Sequence, residues 1–296
     1  MTPLSPQHPA TGKTNHKTHH NIMSNYDLPM NSSNPGVIIF LLDESSSMND
    51  PYDGAKTKAV FAAETINAVM GQILDGIRKP SGRYNKFKLV IIGYGDDANV
   101  RLEGWIDELD SDKNRPEHTF SYIGADGQTK TITAPEFATV NANGWTNMAA
   151  GLELALEKAK SYVDDGHSSC YPPIIINVTD GKPLLDGKPF DECRQEILNM
   201  DVHQRLKECG TGDCSALLFN IHIDRVGPEI VFPHDRESLT DEFFKFLFDI
   251  SSMLPEKMRQ DAQKLSIGTV MPDARAEACN AKPDILYKLI NFASKG

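Results

Sequence analysis

The chain has 296 residues, and its charged side chains give a formal net charge of −11 at pH 7. A surface this acidic repels nucleic acid and anionic lipid, which argues against nonspecific binding to polyanions. The 40% of residues in the hydrophobic class can form one large or two small cores. No run of about 18 or more apolar residues occurs, so no membrane-spanning helix is predicted.

Residues 1–34 are rich in proline, asparagine, serine, threonine and histidine and lack the apolar segment of a secretory signal. This composition predicts a disordered leader. The five cysteines are odd in number and scattered, at Cys170, Cys193, Cys209, Cys214 and Cys279. Without a secretory signal, these features predict free thiols and a cytoplasmic protein.

The first half of the chain alternates strands with an amphipathic helix. Residues 36–42 are apolar throughout, as expected for a central parallel strand covered on both faces. Helical spacing of apolar residues predicts a helix over 59–77. A second strand is predicted at 87–92, with a hairpin partner at 98–105 on the sheet edge. The polar segment 107–138 reads as a hairpin insertion that turns near residues 125–127.

The second half continues the alternation. An amphipathic helix is predicted over 148–163, a buried strand at 174–178, a helix over about 191–209 and another strand at 216–223. Strands joined by crossover helices predict an α/β fold: a doubly wound, mostly parallel sheet with one antiparallel edge strand and helices on both faces. Further amphipathic helices are predicted towards the C-terminus, the last over 285–292.

Oxygen-bearing side chains follow the predicted strands. Asp43, Ser45 and Ser47 stand directly after the first strand in a D-x-S-x-S pattern, and Asp180 follows the strand at 174–178. Thr146 precedes the second amphipathic helix. Ligands of doubly wound sheets gather at the carboxyl ends of the strands, so these five residues can converge there. Carboxylate and hydroxyl oxygens are hard donors that suit Mg²⁺ or Mn²⁺.

These five residues resemble the metal-ion-dependent adhesion site (MIDAS) of the von Willebrand factor A (VWA) family. That site is built from D-x-S-x-S, a threonine and an aspartate, and the chain has all of them in the family's order. Two neighbouring positions depart from the common pattern, since Ser46 and Trp145 stand where glycine is usual. Neither change removes a donor. The ending of the chain is similar to that of free-standing bacterial VWA proteins of the tellurium- and stress-resistance type.

The resemblance implies a non-enzymatic, metal-dependent adaptor in a bacterial signalling or stress-response complex. The bound metal would capture an exposed Glu or Asp of a partner protein, for which the resemblance suggests a Ser/Thr kinase or a metal-dependent phosphatase. We expect three segments: the leader at 1–34, a VWA domain at 35–252 and a helical extension at 253–296 packed on it. Trp145 is a candidate aromatic anchor on the rim of the site, and Asp96 and Asp97 are candidate rim carboxylates.

Two other functions stay open at this stage. A phosphohydrolase could use the same site, but it would need a charge to neutralise phosphate, and Lys182 is the only lysine that the sequence places near it. A metal-independent scaffold could bind through the acidic surface or the C-terminal helices. Taken alone, each donor also has an ordinary interpretation: Asp43 can cap a turn, and Thr146 can cap a helix.

Overall fold

The computed structural model describes residues 24–77, 86–112, 114–123, 128–265 and 269–295. The elements of the first half are β1 (Gly36–Asp43), β2 (Pro51–Asp53), β3 (Lys56–Thr57), α1 (Lys58–Ile77), β4 (Phe87–Tyr94), β5 (Ala98–Trp105), α2 (Ile106–Ser111), β6 (Glu117–Ile123) and β7 (Thr129–Pro135). Those of the second half are α3 (Met148–Tyr162), β8 (Ile174–Thr179), α4 (Phe190–Asn199), α5 (Val202–Glu208), β9 (Leu217–Ile223), β10 (Ile230–Val231), α6 (Glu242–Ile250), α7 (Glu256–Ala262), β11 (Glu277–Ala281) and α8 (Pro283–Ala293).

The main sheet has seven strands in the order β10-β11-β9-β8-β1-β4-β5. Its five inner strands are parallel, and β5 pairs antiparallel with β4 at one edge. The predicted fold class is therefore confirmed, with β5 as the predicted antiparallel edge strand. The two-residue strand β10 adds a second antiparallel pair at the other edge, and it is too short to leave a periodic signal in the sequence.

Alternate residues of β1 pack into two different cores, one on each face of the sheet. Ile38 and Phe40 belong to the core formed with α1 and α8. Ile39 and Leu41 belong to the core formed with α3 and α6. All eight residues of β1 are buried, which explains why its sequence is a continuous apolar run.

The sheet topology creates a crevice beside the end of β1. The chain leaves β1 to form β4 on one side and later returns to form β8 on the other. The connections from β1 and to β8 thus run to opposite sides of the sheet. Such a reversal is the topological switch point, where doubly wound folds bind ligands. Asp43 ends β1 and Thr179 ends β8, so both flank this crevice.

Part of the predicted leader at 1–34 packs on the rest of the protein, so the disorder predicted for this segment does not hold at Tyr26 and Met30. Tyr26 and Met30 are buried in the main core, and the Tyr26 hydroxyl donates a hydrogen bond to the carbonyl of Ser215. Their apolar side chains are isolated in a polar segment, which is why composition does not reveal the contact. Residues 1–23 of the predicted leader lie outside the described residues.

The segment at 253–296, predicted to be a helical extension, also supplies a strand of the main sheet. Strand β11 lies between β9 and β10, and α8 packs against α1. The run Glu277–Ala281 contains no β-branched or aromatic residue, so sequence patterns do not indicate a strand there. Pairing with β9 across the sheet determines its conformation.

Two smaller predictions change in detail. The helix predicted over about 191–209 is divided at Asp201, whose φ of 48° breaks the helical path and whose side chain caps α5. Strands β6 and β7 form the predicted hairpin, although its turn near 125–127 lies outside the described residues. Across the described part of the chain, no helix combines the length and the apolar character needed to cross a membrane.

Candidate metal centre

Four of the five predicted donors form one chain of hydrogen bonds at the crevice. The backbone N–H of Ser45 donates to Asp43 Oδ1 at 2.8 Å. The hydroxyl oxygens of Ser45 and Ser47 lie 3.0 Å apart, and Ser47 Oγ donates to Asp180 Oδ1 at 2.7 Å. Ser47 is solvent-exposed while Asp43 and Asp180 are buried, so the cluster opens to solvent at the serine.

The loop that carries Thr146 lies alongside the D-x-S-x-S loop. Ser46 N–H donates to the carbonyl of Gly144 at 3.1 Å, which joins the two loops. Thr146 is buried and exchanges two backbone hydrogen bonds with Leu184, at 2.8 and 3.2 Å. Thr146, the fifth predicted donor, is therefore fixed between the D-x-S-x-S loop and the segment that follows Asp180.

Asp43 is almost completely buried. The residue is 1% exposed, and its carboxyl accepts a hydrogen bond from the Thr179 hydroxyl at 2.7 Å through Oδ2. Burial raises the pKa of Asp43 to about 7, the hydrogen bonds from Thr179 and Ser45 oppose this rise, and the charge of Asp180 adds to it. Burial thus disfavours the charge of the Asp43 carboxylate, and a cation beside it would favour the ionised form.

Lys58 belongs to the site, and sequence reasoning missed it. It begins α1, it is 6% exposed, and its Nζ lies 2.8 Å from Asp180 Oδ2. Lys182, the lysine that the sequence suggested, lies instead 3.6 Å from Asp241 and above the ring of Phe190. A signal for Lys58 was present, because it occupies the apolar stripe of α1 four residues before Ala62.

A second ion pair, between the buried Glu44 and the exposed Arg101, supports the D-x-S-x-S loop. The Glu44 carboxylate accepts hydrogen bonds from Arg101 and, at 3.0 Å, from the amide of Asn141. Glu44 packs over Gly93, where an added Cβ would lie 2.0 Å from Oε1. Only glycine leaves room for this carboxylate. Glu44 is the variable position of the D-x-S-x-S pattern, and it was not singled out as a site residue.

The three predicted rim residues lie at the same end of the sheet. Trp145 is 45% exposed, and its backbone N–H donates to Asp96 Oδ1 at 2.9 Å. Asp97 is exposed next to Asp96, and its carbonyl accepts a hydrogen bond from Gly95. The structure thus brings Trp145 and Asp96 together, and Asp97 lies beside them with its side chain towards solvent.

His222 joins the site to the C-terminal strand. Its Nε2 lies 3.2 Å from the carbonyl of Asp180, and its Nδ1 accepts the backbone N–H of Asn280 at 3.2 Å. Burial lowers the pKa of His222, so the ring is held in its neutral form. Both ring nitrogens of this strand histidine therefore have hydrogen-bond partners.

The donor set fits a hard divalent cation. Within the described ranges, no group of three or more His, Cys, Asp or Glu side chains is arranged to hold a metal. The hydrogen-bonded cluster instead combines two carboxylates with two hydroxyls, and Thr146 lies on the adjacent loop. Such a donor set leaves coordination positions for water or a ligand. Oxygen donors of this kind suit Mg²⁺ or Mn²⁺ and do not resemble the Cys and His ligands of structural zinc sites.

Comparison with protein-family profiles and with curated proteins finds no match. Among solved structures, the chain is similar to a von Willebrand factor type A protein of Catenulispora acidiphila, with 14% identity, a TM-score of 0.41, and coverage of 88% of this chain and 43% of that one. It is also similar to proximal thread matrix protein 1 of the mussel byssus with a zinc-occupied MIDAS motif, with 14% identity, a TM-score of 0.39, and coverage of 88% and 48%. The paralogue VWA2 of ArnB from Sulfolobus acidocaldarius has 16% identity, a TM-score of 0.36, and coverage of 64% and 35%. The chain spans less than half the length of each, and at these scores nothing about its ligands follows.

Proposed function

We propose that this chain is a non-enzymatic protein-binding module that captures an acidic side chain of a partner at a divalent metal site. The observation that carries this proposal is the hydrogen-bonded cluster of Asp43, Ser45, Ser47 and Asp180 at the switch point of the sheet. It is open to solvent at Ser47, where a partner could approach.

The neutral and the charged residues of the cluster would contribute differently to the binding of a cation. The hydroxyls of Ser45, Ser47 and Thr146 are neutral donors, so they can ligate without cancelling the charge of the ion. Asp43 and Asp180 accept hydrogen bonds from the first loop and supply negative charge around it. Mg²⁺ or Mn²⁺ bound here would offer an open coordination position to a carboxylate oxygen of the partner.

The surroundings of the cluster favour binding over hydrolysis. A hydrolase needs a group free to accept a proton from water. Both oxygens of the Asp43 carboxyl accept hydrogen bonds, and both ring nitrogens of His222 are in hydrogen bonds. Glu44 is paired with Arg101, and the Lys58 ammonium is bonded to Asp180. The presence of Lys58 nevertheless supplies the positive charge that a phosphohydrolase would need, so an assay of phosphate-ester hydrolysis belongs among the tests.

The resemblance to free-standing bacterial VWA proteins suggests an adaptor in a stress-response or signalling complex, with a Ser/Thr kinase or a metal-dependent phosphatase as partner. We propose a cytoplasmic location, because all five cysteines are free thiols, as is usual in a reducing compartment.

The test is an affinity capture from the native host, followed by measurement of binding to the purified partner. The capture is run in Mg²⁺ and in EDTA, with the natural chain, Asp43→Asn and Asp213→Asn. The proposal expects a partner retained only with metal, lost with Asp43→Asn and kept with the control Asp213→Asn, which changes an exposed carboxylate before β9. Retention of the same partner in EDTA and by Asp43→Asn would show that recognition occurs elsewhere. Metal-dependent hydrolysis of a phosphate ester would instead favour an enzyme.

A further inference from the structure

Lys58 is an unusual neighbour for a cation site. Its side chain is 8% exposed, and the carboxylate that it contacts on Asp180 is fully buried. The Asp180 carboxylate has both oxygens occupied, Oδ2 by Lys58 Nζ at 2.8 Å and Oδ1 by Ser47 Oγ at 2.7 Å. The Lys58 ammonium therefore already neutralises the Asp180 carboxylate, whose charge would otherwise be available to an incoming metal ion.

The position of Lys58 is fixed by the backbone. Its N–H donates to the carbonyl of Asp50 at 3.0 Å, where the chain enters α1. The Asp50 carboxylate lies 3.9 Å from Nζ, on the solvent side, and is itself mostly exposed. The backbone bond anchors the start of the side chain, and the two carboxylates hold its end beside the cluster.

We propose that Lys58 is a resident cation of the metal site, which neutralises Asp180 when no metal is bound and weakens the binding of a divalent cation. This inference deepens the proposed function and rests on it only in taking the same cluster as the metal site. Lys58 is a positioning residue that changes the charge of the site. Its ammonium is bonded to Asp180 Oδ2, and Asp180 in turn would act on a metal through its hydrogen bond with Ser47.

The charges of the cluster explain the effect. The Lys58 ammonium cancels the charge of the Asp180 carboxylate in the metal-free site, so an incoming dication meets one negative charge fewer than it would without Lys58. After the dication has bound, the site carries one positive charge more than it would without Lys58. Lys58 therefore lowers affinity for the metal and makes the loaded site more attractive to a carboxylate of a partner.

Lys58 also explains how the metal-free site keeps its shape. A buried carboxylate with no counter-charge is strongly destabilising. The Lys58 ammonium supplies that charge to Asp180, so the first loop can stay in place through Ser47 without metal. A bound dication would take over part of this role, and the fold should then depend less on Lys58.

The test is a titration of the full chain with Mn²⁺, following free Mn²⁺ by electron paramagnetic resonance. Lys58→Met and Lys58→Gln remove the charge, Lys182→Met is the matched surface control, and Asp43→Asn is the variant that should not bind. We expect the neutral Lys58 variants to bind Mn²⁺ about tenfold more tightly than the natural chain. Lys182→Met should stay within about threefold, because an exposed ion pair contributes little.

Thermal unfolding gives an independent readout. In EDTA, the neutral Lys58 variants should unfold at a lower temperature than the natural chain, and Mn²⁺ should raise their midpoint by a larger amount. A variant that folds only with Mn²⁺ would support the proposal. If both neutral variants failed to fold even with Mn²⁺, the proposal would be overturned, because a dication should replace the missing charge.

The outcomes separate this inference from the proposed function. Equal Mn²⁺ affinity in the natural chain and Lys58→Met, with none in Asp43→Asn, would remove the role of Lys58 and leave the metal site intact. Binding by Lys58→Met alone would show that Lys58 itself fills the site and that the natural chain does not use a metal. Absence of Mn²⁺ binding in every variant would overturn both.

Discussion

Arg101 on the edge strand and Glu44 after β1 form a two-pronged ion pair, with Nε 3.0 Å from Oε1 and Nη2 2.5 Å from Oε2. The Glu44 side chain is 8% exposed, and the Arg101 side chain is 38% exposed. The backbone of Glu44 also bonds to Tyr94 and Asn143. The ion pair and the backbone bonds of Glu44 together fasten the D-x-S-x-S loop to the neighbouring strands and to the segment that carries Thr146.

The first prediction concerns the space that Glu44 needs. Gly93→Ala places a Cβ 2.0 Å from Glu44 Oε1 and forces the carboxylate away from Arg101. We expect a loss of about 2–3 kcal/mol in the free energy of unfolding, measured by urea denaturation. Glu44→Ala alone should cost roughly 2 kcal/mol.

The double variant of Gly93→Ala with Glu44→Ala distinguishes this explanation from general strain. It should lose clearly less than the sum of the two single changes, because the shorter side chain at position 44 leaves room for the new methyl group. Simple additivity would contradict the proposed clash. Gly76→Ala is the control, since the added Cβ would meet no atom within 4 Å other than the adjoining residues and backbone of its own helix.

The second prediction concerns a buried polar ladder across the sheet. The Tyr94 hydroxyl donates to Asn177 at 2.9 Å, the Asn177 amide to Asn220 at 3.0 Å, and the Asn220 amide to Ser251 at 2.9 Å. Asn220→Ala leaves the Asn177 amide without its acceptor, so we expect a loss of about 2–3 kcal/mol in unfolding free energy. The exposed Asn199→Ala should change it by less than about 0.5 kcal/mol. Comparable small losses for both would show that the ladder adds little.

The third prediction is a dependence of stability on pH through Glu277. This residue is 1% exposed, the Cys279 thiol donates to its Oε1, and its Oε2 has no hydrogen-bond partner among the described residues. Burial raises the pKa of Glu277 from its ordinary value of 4.5 to about 8; the Cys279 hydrogen bond and Arg275 oppose the rise, and Asp249 adds to it. Between about pH 4.5 and pH 8, Glu277 is therefore protonated in the folded chain and ionised in the unfolded chain.

The sign of this effect follows from linkage. The stabilising contribution of protonated Glu277 is complete below about pH 4.5 and is lost as pH rises through about 8. Glu277→Gln keeps a neutral side chain at every pH. We compare the unfolding free energy of Glu277→Gln with that of the natural chain at the same pH. This difference should shift in favour of the variant by on the order of 2 kcal/mol between pH 5 and pH 8.5. Parallel stability curves for the two proteins, measured by urea denaturation, would be inconsistent with a buried neutral carboxyl.

The fourth prediction assigns Trp145 to partner binding. Its side chain is 45% exposed beside Thr146, so its removal should leave unfolding free energy and Mn²⁺ affinity nearly unchanged. Trp145→Ala should weaken binding of the captured partner by about tenfold or more, measured by calorimetry, because exposed aromatic residues often anchor interfaces. Leu28→Ala, which lies near the opposite end of the sheet, is the control. Equal effects of the two changes would argue against Trp145 as an anchor.

Sequence by itself determined the central part of this protein. The apolar run of β1 and the helical spacing in α1 and α3 are local patterns, and they predict the parallel sheet because each element must bury its apolar face. The order of strands and helices then places Asp43, Thr146 and Asp180 at one edge. Their binding of a metal stays a prediction.

Only the tertiary structure decided which residues surround those donors. Lys58 meets Asp180 across 122 positions of the chain, and Arg101 meets Glu44 across 57. Neither pair leaves a periodic signal, because a charged residue becomes a partner only when the fold brings its counterpart close. Strand β11 follows the same rule, since its small and polar residues take the extended form by pairing with β9. Local hydrophobic patterns predict elements, whereas buried charges and short strands depend on neighbours that are distant in sequence.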